Sequence, residues 1–81
     1  MMLPNMPALH LRKLGTATLE ELATTSGMPI NVVSANMAGL HDAGIVTKYG
    51  SRPTSLLRWE GEGHPWVAQQ IEQATRAGVM V

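Results

Sequence analysis

The first half of the chain contains two signals for the start of a helix, with a glycine that ends the earlier helix between them. These signals constrain the fold more than any other feature of the sequence. Thr18 and Glu21 have the spacing of a capping box, in which each side chain accepts a hydrogen bond from the other residue's backbone N–H. This spacing predicts a helix over about 19–25, and Gly27 follows its end. Pro29 is typical of the first turn of another helix. Two short helices joined by a tight turn form a helix-turn-helix unit.

Apolar residues at helical spacing predict the buried face of each helix. A first helix is expected from about Pro7 to Leu14, and the third is expected to end near Gly44. Gly39 costs about 1 kcal/mol in a helix relative to alanine, and close approach of another backbone would explain it. The expected core positions are Leu9 and Leu14 in the first helix, Leu19, Leu22 and Ala23 in the second, and Ile30, Val33, Met37 and Leu40 in the third.

The second half of the chain predicts a β-hairpin followed by a fourth helix. Residues 45–49 and 54–59 have strand character, and a turn-rich link over 50–53 separates them. Residues 16–18 are expected to form a link or a short strand. Residues 60–64 are polar and read as a flexible hinge, and Pro65 then begins a helix to about residue 77. The apolar face of this helix could close the core or form a dimer interface, and its residues are Trp66, Val67, Ile71 and Ala74.

Composition narrows the class of protein. The 81 residues suit one domain over 1–81, and there is no cysteine for a disulfide, a thiolate nucleophile or a cysteine metal site. Small secreted domains usually need such crosslinks, so we expect a cytoplasmic protein. No apolar run approaches the length of a membrane span. The formal net charge is zero, whereas nucleic-acid-binding domains are commonly basic.

The stretch LEELATTSGMPINVVSANMAGLHDAGIV resembles the winged helix-turn-helix family of small bacterial, phage and plasmid regulators. The matching positions are Leu22-Ala23 in the second helix, Gly27 in the turn, Val33-Ser34, Met37 and Leu40 in the third helix, and Ala43 to Val46 after it. The resemblance covers about residues 9–59. It implies an α+β fold in which a three-helix core and a two-stranded β-hairpin wing occupy 8–59, with an additional C-terminal helix over 65–77.

The resemblance implies a sequence-specific transcriptional regulator of duplex DNA, with the third helix in the major groove. The outward residues of that helix would be Asn31, Ser34, Ala35, Asn36 and Ala38. Asparagine can pair with adenine, and an alanine methyl can contact thymine. Members of the family often carry Arg or Lys near Ala35 and Gly39, and this chain has neither. The alternative interpretation of these residues is an ordinary polar surface.

The predicted wing carries the positive charge that the third helix lacks. Lys48, Arg52 and Arg58 would contact the DNA backbone or minor groove, with Arg52 at the hairpin tip. Charge that protects an exposed strand edge is the alternative explanation. Because one copy would hold few phosphates, we expect a homodimer on a near-palindromic site.

The sequence leaves one other class of function open and disfavours a further one. The neutral third helix and zero net charge also fit a protein-interaction adaptor that does not bind DNA. An enzyme is not expected, because the three histidines lack metal-ligand spacing and no nucleophile elbow is present. Residues 61–63 have only G-x-G, which is too little for a dinucleotide site. We therefore expect no catalytic residue, metal or cofactor.

Overall fold

The computed structural model describes residues 4–50 and 55–79. Within these ranges the chain has four helices and a three-stranded antiparallel sheet, so the predicted α+β class is confirmed. Residues 16–18, expected as a link or a strand, contribute the first strand. The elements are α1 (Met6–Leu14), β1 (Thr16–Ala17), α2 (Leu19–Ser26), α3 (Ile30–Asp42), β2 (Val46–Tyr49), β3 (Leu56–Trp59) and α4 (Pro65–Arg76).

Local side-chain hydrogen bonds set where α1 and α2 begin. The predicted capping box of α2 is complete: Glu21 N donates to Thr18 Oγ1 over 3.1 Å, and Thr18 N donates to Glu21 Oε1 over 3.2 Å. Asn5 caps α1 by accepting from Ala8 N, also over 3.1 Å. Gly27 follows α2 with φ +69°, a left-handed conformation that costs glycine little, and so allows the tight turn into α3.

The sheet has the order β1-β3-β2, and its register assigns residues to two faces. Leu57 of β3 lies opposite both Ala17 and Lys48, while Arg58 lies opposite Thr16 and Thr47. Ala17 and Leu57 are buried, whereas Thr16 and Arg58 are exposed. Since side chains alternate along a strand, one face of the sheet covers the core and the other faces solvent.

The core forms where α1, α2 and α3 meet the inner face of the sheet. Two sequence expectations are wrong: Leu14 is 50% exposed and Ile30 is 48% exposed. Both lie at helix ends. Helical spacing predicts the direction of a side chain, but it does not show whether another element extends far enough to cover that side chain. The other expected positions are buried or packed against the core; those buried are Leu9, Leu22, Val33, Met37 and Leu40.

Helix α4 completes this core. Val67 and Ala74 are buried within the chain itself, and Trp66 and Ile71 are partly buried against the same cluster. Gln70 is only 7% exposed, and its Oε1 accepts a 2.6 Å hydrogen bond from Asn5 N. Val67 and Ala74 therefore close the core of the chain and do not form a dimer interface. The solvent side of α4 is polar.

Two glycines differ from their sequence interpretations. Gly61, expected in a flexible hinge, is buried, and a Cβ there would lie 2.6 Å from Ile45 Cγ2 and 3.0 Å from Trp59 Cζ2. Close approach of another backbone would have explained Gly39, but a Cβ there would meet nothing within 4 Å. Gly61 is therefore required by packing, while Gly39 has open space beside it.

We expect alanine substitution to have opposite effects at these two glycines. Gly61→Ala should lower the free energy of unfolding by about 1–3 kcal/mol, because its methyl group overpacks the core. Gly39→Ala should raise it by about 1 kcal/mol, because alanine favours the helix. Urea denaturation followed by circular dichroism measures both. Equal stability of the two variants would contradict the packing described for Gly61.

Candidate functional site

Helix α3 has one broad exposed face opposite its buried residues. Asn31, Ala35 and Ala38 lie on this face, as predicted for an outward-facing helix surface, and Asp42 lies at its end. Ser34 is half-buried on the side that faces β2. With Ser34 at its edge, the face carries two polar uncharged side chains, two methyl groups and one carboxylate, and the exposed side chain of Val32 lies beside it.

Asn36 does not belong to this face. It is half-buried, and its Oδ1 accepts a 3.3 Å hydrogen bond from Asn5 Nδ2 at the start of α1. Its predicted outward orientation is therefore wrong. The sequence did hold a signal, because Asn36 lies three residues after Val33 and four before Leu40, and both of those are buried.

A groove separates α3 from β2, and we call it the α3–β2 groove. Its first part has a volume of about 410 Å³ and lies between the start of α2 and the first turns of α3. A second part of about 290 Å³ continues toward the end of α3 and shares Ser34, Lys48 and Ser55 with the first. Asn31 and Ser34 on α3 thus line the same groove as Lys48 on β2.

The cations predicted for the wing do not form one surface. Lys48 lies on the sheet face that lines the α3–β2 groove, whereas the register puts Arg58 on the opposite face. Arg58 Nε also lies 3.2 Å from Glu60 Oε1, which neutralises its charge locally. Arg52 lies outside the described residues. Of the three predicted cations, Lys48 is thus the one placed in the groove.

Few cations in the described part of the chain are left for a partner. Arg12 and Arg76 pair with Glu62 and Glu72. Lys13 and Lys48 form no ion pair with any described residue. Glu20 lines the first part of the α3–β2 groove and Asp42 the second, so the groove has acidic groups near both ends. Short-range hydrogen bonding must therefore contribute more than charge to any recognition there.

Sequence reasoning missed a polar cluster that holds the 60–64 segment against α1 and β3. Trp59 Nε1 donates to Glu62 Oε2 over 3.2 Å, and Arg12 Nη2 lies 3.4 Å from Glu62 Oε1. The Trp59 hydrogen bond, followed by the Arg12 hydrogen bond and charge, lowers the pKa of Glu62. Because Arg12 and Glu62 are fifty residues apart in sequence, no local pattern could indicate their contact.

We expect this cluster to give the stability of the protein a pH dependence. The folded-state pKa of Glu62 is below its unfolded value, so its contribution is present above the unfolded pKa and is lost as pH falls through the folded pKa. Glu62→Gln should therefore be less stable than the parent at neutral pH, and the difference should disappear in acid. Denaturation midpoints across a pH series measure this.

A second substitution tests the assigned cause. Trp59→Phe removes the indole donor while keeping an aromatic ring, so Glu62→Gln should have a smaller effect in that background. The same Glu62→Gln effect with and without the indole N–H would show that Trp59 does not stabilise the carboxylate.

The described residues contain no group of three or more histidine, aspartate or glutamate side chains that could hold a metal ion. His41 Nδ1 and Asp42 Oδ1 are 3.9 Å apart, beyond hydrogen-bond distance, and both side chains are exposed. None of the described helices is long and apolar enough to cross a membrane. The chain matches no protein-family model, and no curated protein is similar enough to match it.

Proposed function

We propose that this chain is a cytoplasmic winged helix protein that binds duplex DNA and regulates transcription. The observation that carries the proposal is the meeting of Asn31 and Ser34 of α3 with Lys48 of β2 in one groove. The order of elements, with α2 and α3 joined by a tight turn and then followed by β2 and β3, supports it.

The proposed contacts follow from the chemistry of each side chain. Asn31 would pair with an adenine edge in the major groove, and Ser34 would contact a neighbouring base. The exposed methyl groups of Ala35 and Ala38 suit thymine C5-methyl groups. Lys48 would contact a backbone phosphate beside them. Arg52 stays a predicted wing contact, and Arg58 would contact DNA only by exchanging Glu60 for phosphate.

One copy of the chain would bind weakly, because affinity for DNA depends strongly on the number of phosphates neutralised. A homodimer on a near-palindromic site remains part of the proposal, since two copies double the contacts. Its interface would not use Val67 or Ala74, which are buried in the chain's own core. Trp66 and Ile71 are only partly covered and remain candidates.

Charge removal in the groove should weaken DNA binding more than charge removal elsewhere. We expect Lys48→Gln to lower affinity about 3- to 10-fold at low salt and to reduce the slope of log K against log salt by about 0.9. Lys13→Gln removes the same charge from an exposed lysine of α1, outside the groove, and should change both quantities little. Fluorescence anisotropy of a labelled duplex measures them; equal losses in the two variants would contradict the groove assignment.

The two asparagines of α3 offer a test of base recognition. On a duplex obtained by selection, Asn31→Ala should cost about 1–3 kcal/mol of binding free energy, while an unrelated duplex should be bound as before. Asn36→Ala should change the discrimination between the two duplexes little, because Asn36 is turned toward Asn5. If both variants discriminate like the parent protein, α3 does not read bases through Asn31.

A protein-interaction adaptor is the second candidate function. Two apolar side chains are exposed on the first turn of α3, since Ile30 is 48% and Val32 is 38% exposed. Exposed apolar groups beside a helix without Lys or Arg suit a protein partner better than phosphate. An absence of salt-dependent DNA binding at protein concentrations of about 100 μM would favour this candidate over the regulator.

A further inference from the structure

A second cavity lies on the side of α3 that faces away from the α3–β2 groove, and we call it the α3–α4 cavity. It has a volume of about 440 Å³. Small residues of α3 and its C-cap line one side, Trp66 lines the α4 side, and three polar side chains contribute to the lining; the small residues are Ala35, Gly39 and Ala43, and the polar ones are Asn5, Asn36 and His64. None of the described residues that line it is acidic.

A chain of hydrogen bonds fixes the Asn36 amide, which lines this cavity, so that its donor end is the free one. Ala8 N donates to Asn5 Oδ1, which fixes the Asn5 amide so that its Nδ2 donates to Asn36 Oδ1. The other end of the Asn36 amide, Nδ2, is therefore a hydrogen-bond donor, and its N–H groups have no partner among the described residues. The backbone at the start of α1 therefore determines which end of the Asn36 amide is free.

The cap of α4 fixes His64 in the same way. Trp66 N donates to His64 Nδ1 over 3.1 Å, so Nδ1 carries no proton. The proton of the neutral ring must then be on Nε2, which makes Nε2 a hydrogen-bond donor. Two side chains that line the cavity, Asn36 and His64, thus each carry a donor that is fixed by backbone contacts elsewhere.

The α3–α4 cavity is open to solvent and has room for a small occupant. A Cβ added to Gly39 would meet no atom within 4 Å, so the space beside this turn of α3 is open. The indole of Trp66, which is partly buried against the core, offers an aromatic surface on the α4 side. A mostly apolar cavity with a few fixed polar groups is the usual form of a small-molecule site.

We propose that the α3–α4 cavity binds a small aromatic carboxylate. Its ring would lie between the small residues of α3 and Trp66, and its oxygens would accept from Asn36 Nδ2 and His64 Nε2. A carboxylate is favoured over a neutral acceptor because hydrogen bonds to a charged oxygen are stronger. The site does not depend on the proposed function, since none of its donors is assigned to DNA; it shares with the proposed DNA surface only Ala35.

Benzoate is the probe for the first experiment, with benzylamine as a cation of similar size and shape. Nitrogen-15 NMR spectra of the full chain should show saturable shifts of the Trp66 indole and the Asn36 side-chain amide with benzoate. The Trp59 indole, which donates to Glu62, serves as the internal reference. We expect benzoate to bind at least about 10-fold more tightly than benzylamine. Equal binding of the two probes, or no saturable shift with benzoate, would overturn the proposal.

Two variants convert a donor into an acceptor while keeping the internal hydrogen bonds. In Asn36→Asp the carboxylate can still accept from Asn5 Nδ2, and in His64→Asp it can still cap α4, because aspartate is a favourable N-cap. Each should weaken benzoate binding at least about 10-fold through charge repulsion. Thr24→Asp adds the same charge to the exposed side of α2 and should bind benzoate like the parent.

The spectra also report whether each variant is folded, through the dispersion of the backbone amide signals. If folded Asn36→Asp and His64→Asp both bind benzoate as tightly as the parent protein does, the proposed donors are wrong. If either variant unfolds, the comparison of benzoate with benzylamine on the unaltered chain still decides the proposal.

Discussion

Strand β3 is paired on both edges, and the positions of the other elements depend on its register. Leu57 lies opposite Ala17 on one side and Lys48 on the other, which places these three residues on one face of the sheet. At its last residue, Trp59 N donates to Gly15 O over 2.9 Å, and just past it Glu60 N donates to Ile45 O over 2.7 Å. A shift of one residue would turn Lys48 to the solvent face and bury Arg58. The α3–β2 groove thus exists only in this register.

The attachment of α4 follows from the same end of β3. Gly61 lets the chain pass close to Ile45 and Trp59, and the Glu62 cluster then holds the segment that leads to α4. From there Gln70 reaches Asn5 at the opposite end of the chain. A chain of 81 residues buries little surface, and α4 adds two buried apolar side chains to the core without any disulfide.

The features that could be predicted from the sequence are those that depend on neighbouring residues. The capping box at Thr18, the turn at Gly27 and the helix start at Pro65 all use local contacts, and each was predicted at its observed place. The packing role of Gly61 and the separation of Lys48 from Arg58 depend on contacts or register between distant segments. The same holds for Asn5 and Gln70, which are 65 residues apart. Such features are decided by tertiary structure, which overrides local preference.

The distribution of charge bears on both sites proposed along α3. Three of the described arginines lie beside glutamates, so the long-range field of the described surface is weak. Recognition in a weak field depends on hydrogen bonds and shape, which act only at contact. On the β2 side, the proposed DNA contact combines the single charge of Lys48 with Asn31 and Ser34. On the α4 side, Asn36 and His64 are donors whose orientation is set by the backbone, beside an aromatic ring. Donors of fixed orientation in a weak field select by geometry, so the two proposals place different kinds of ligand on the two sides of α3.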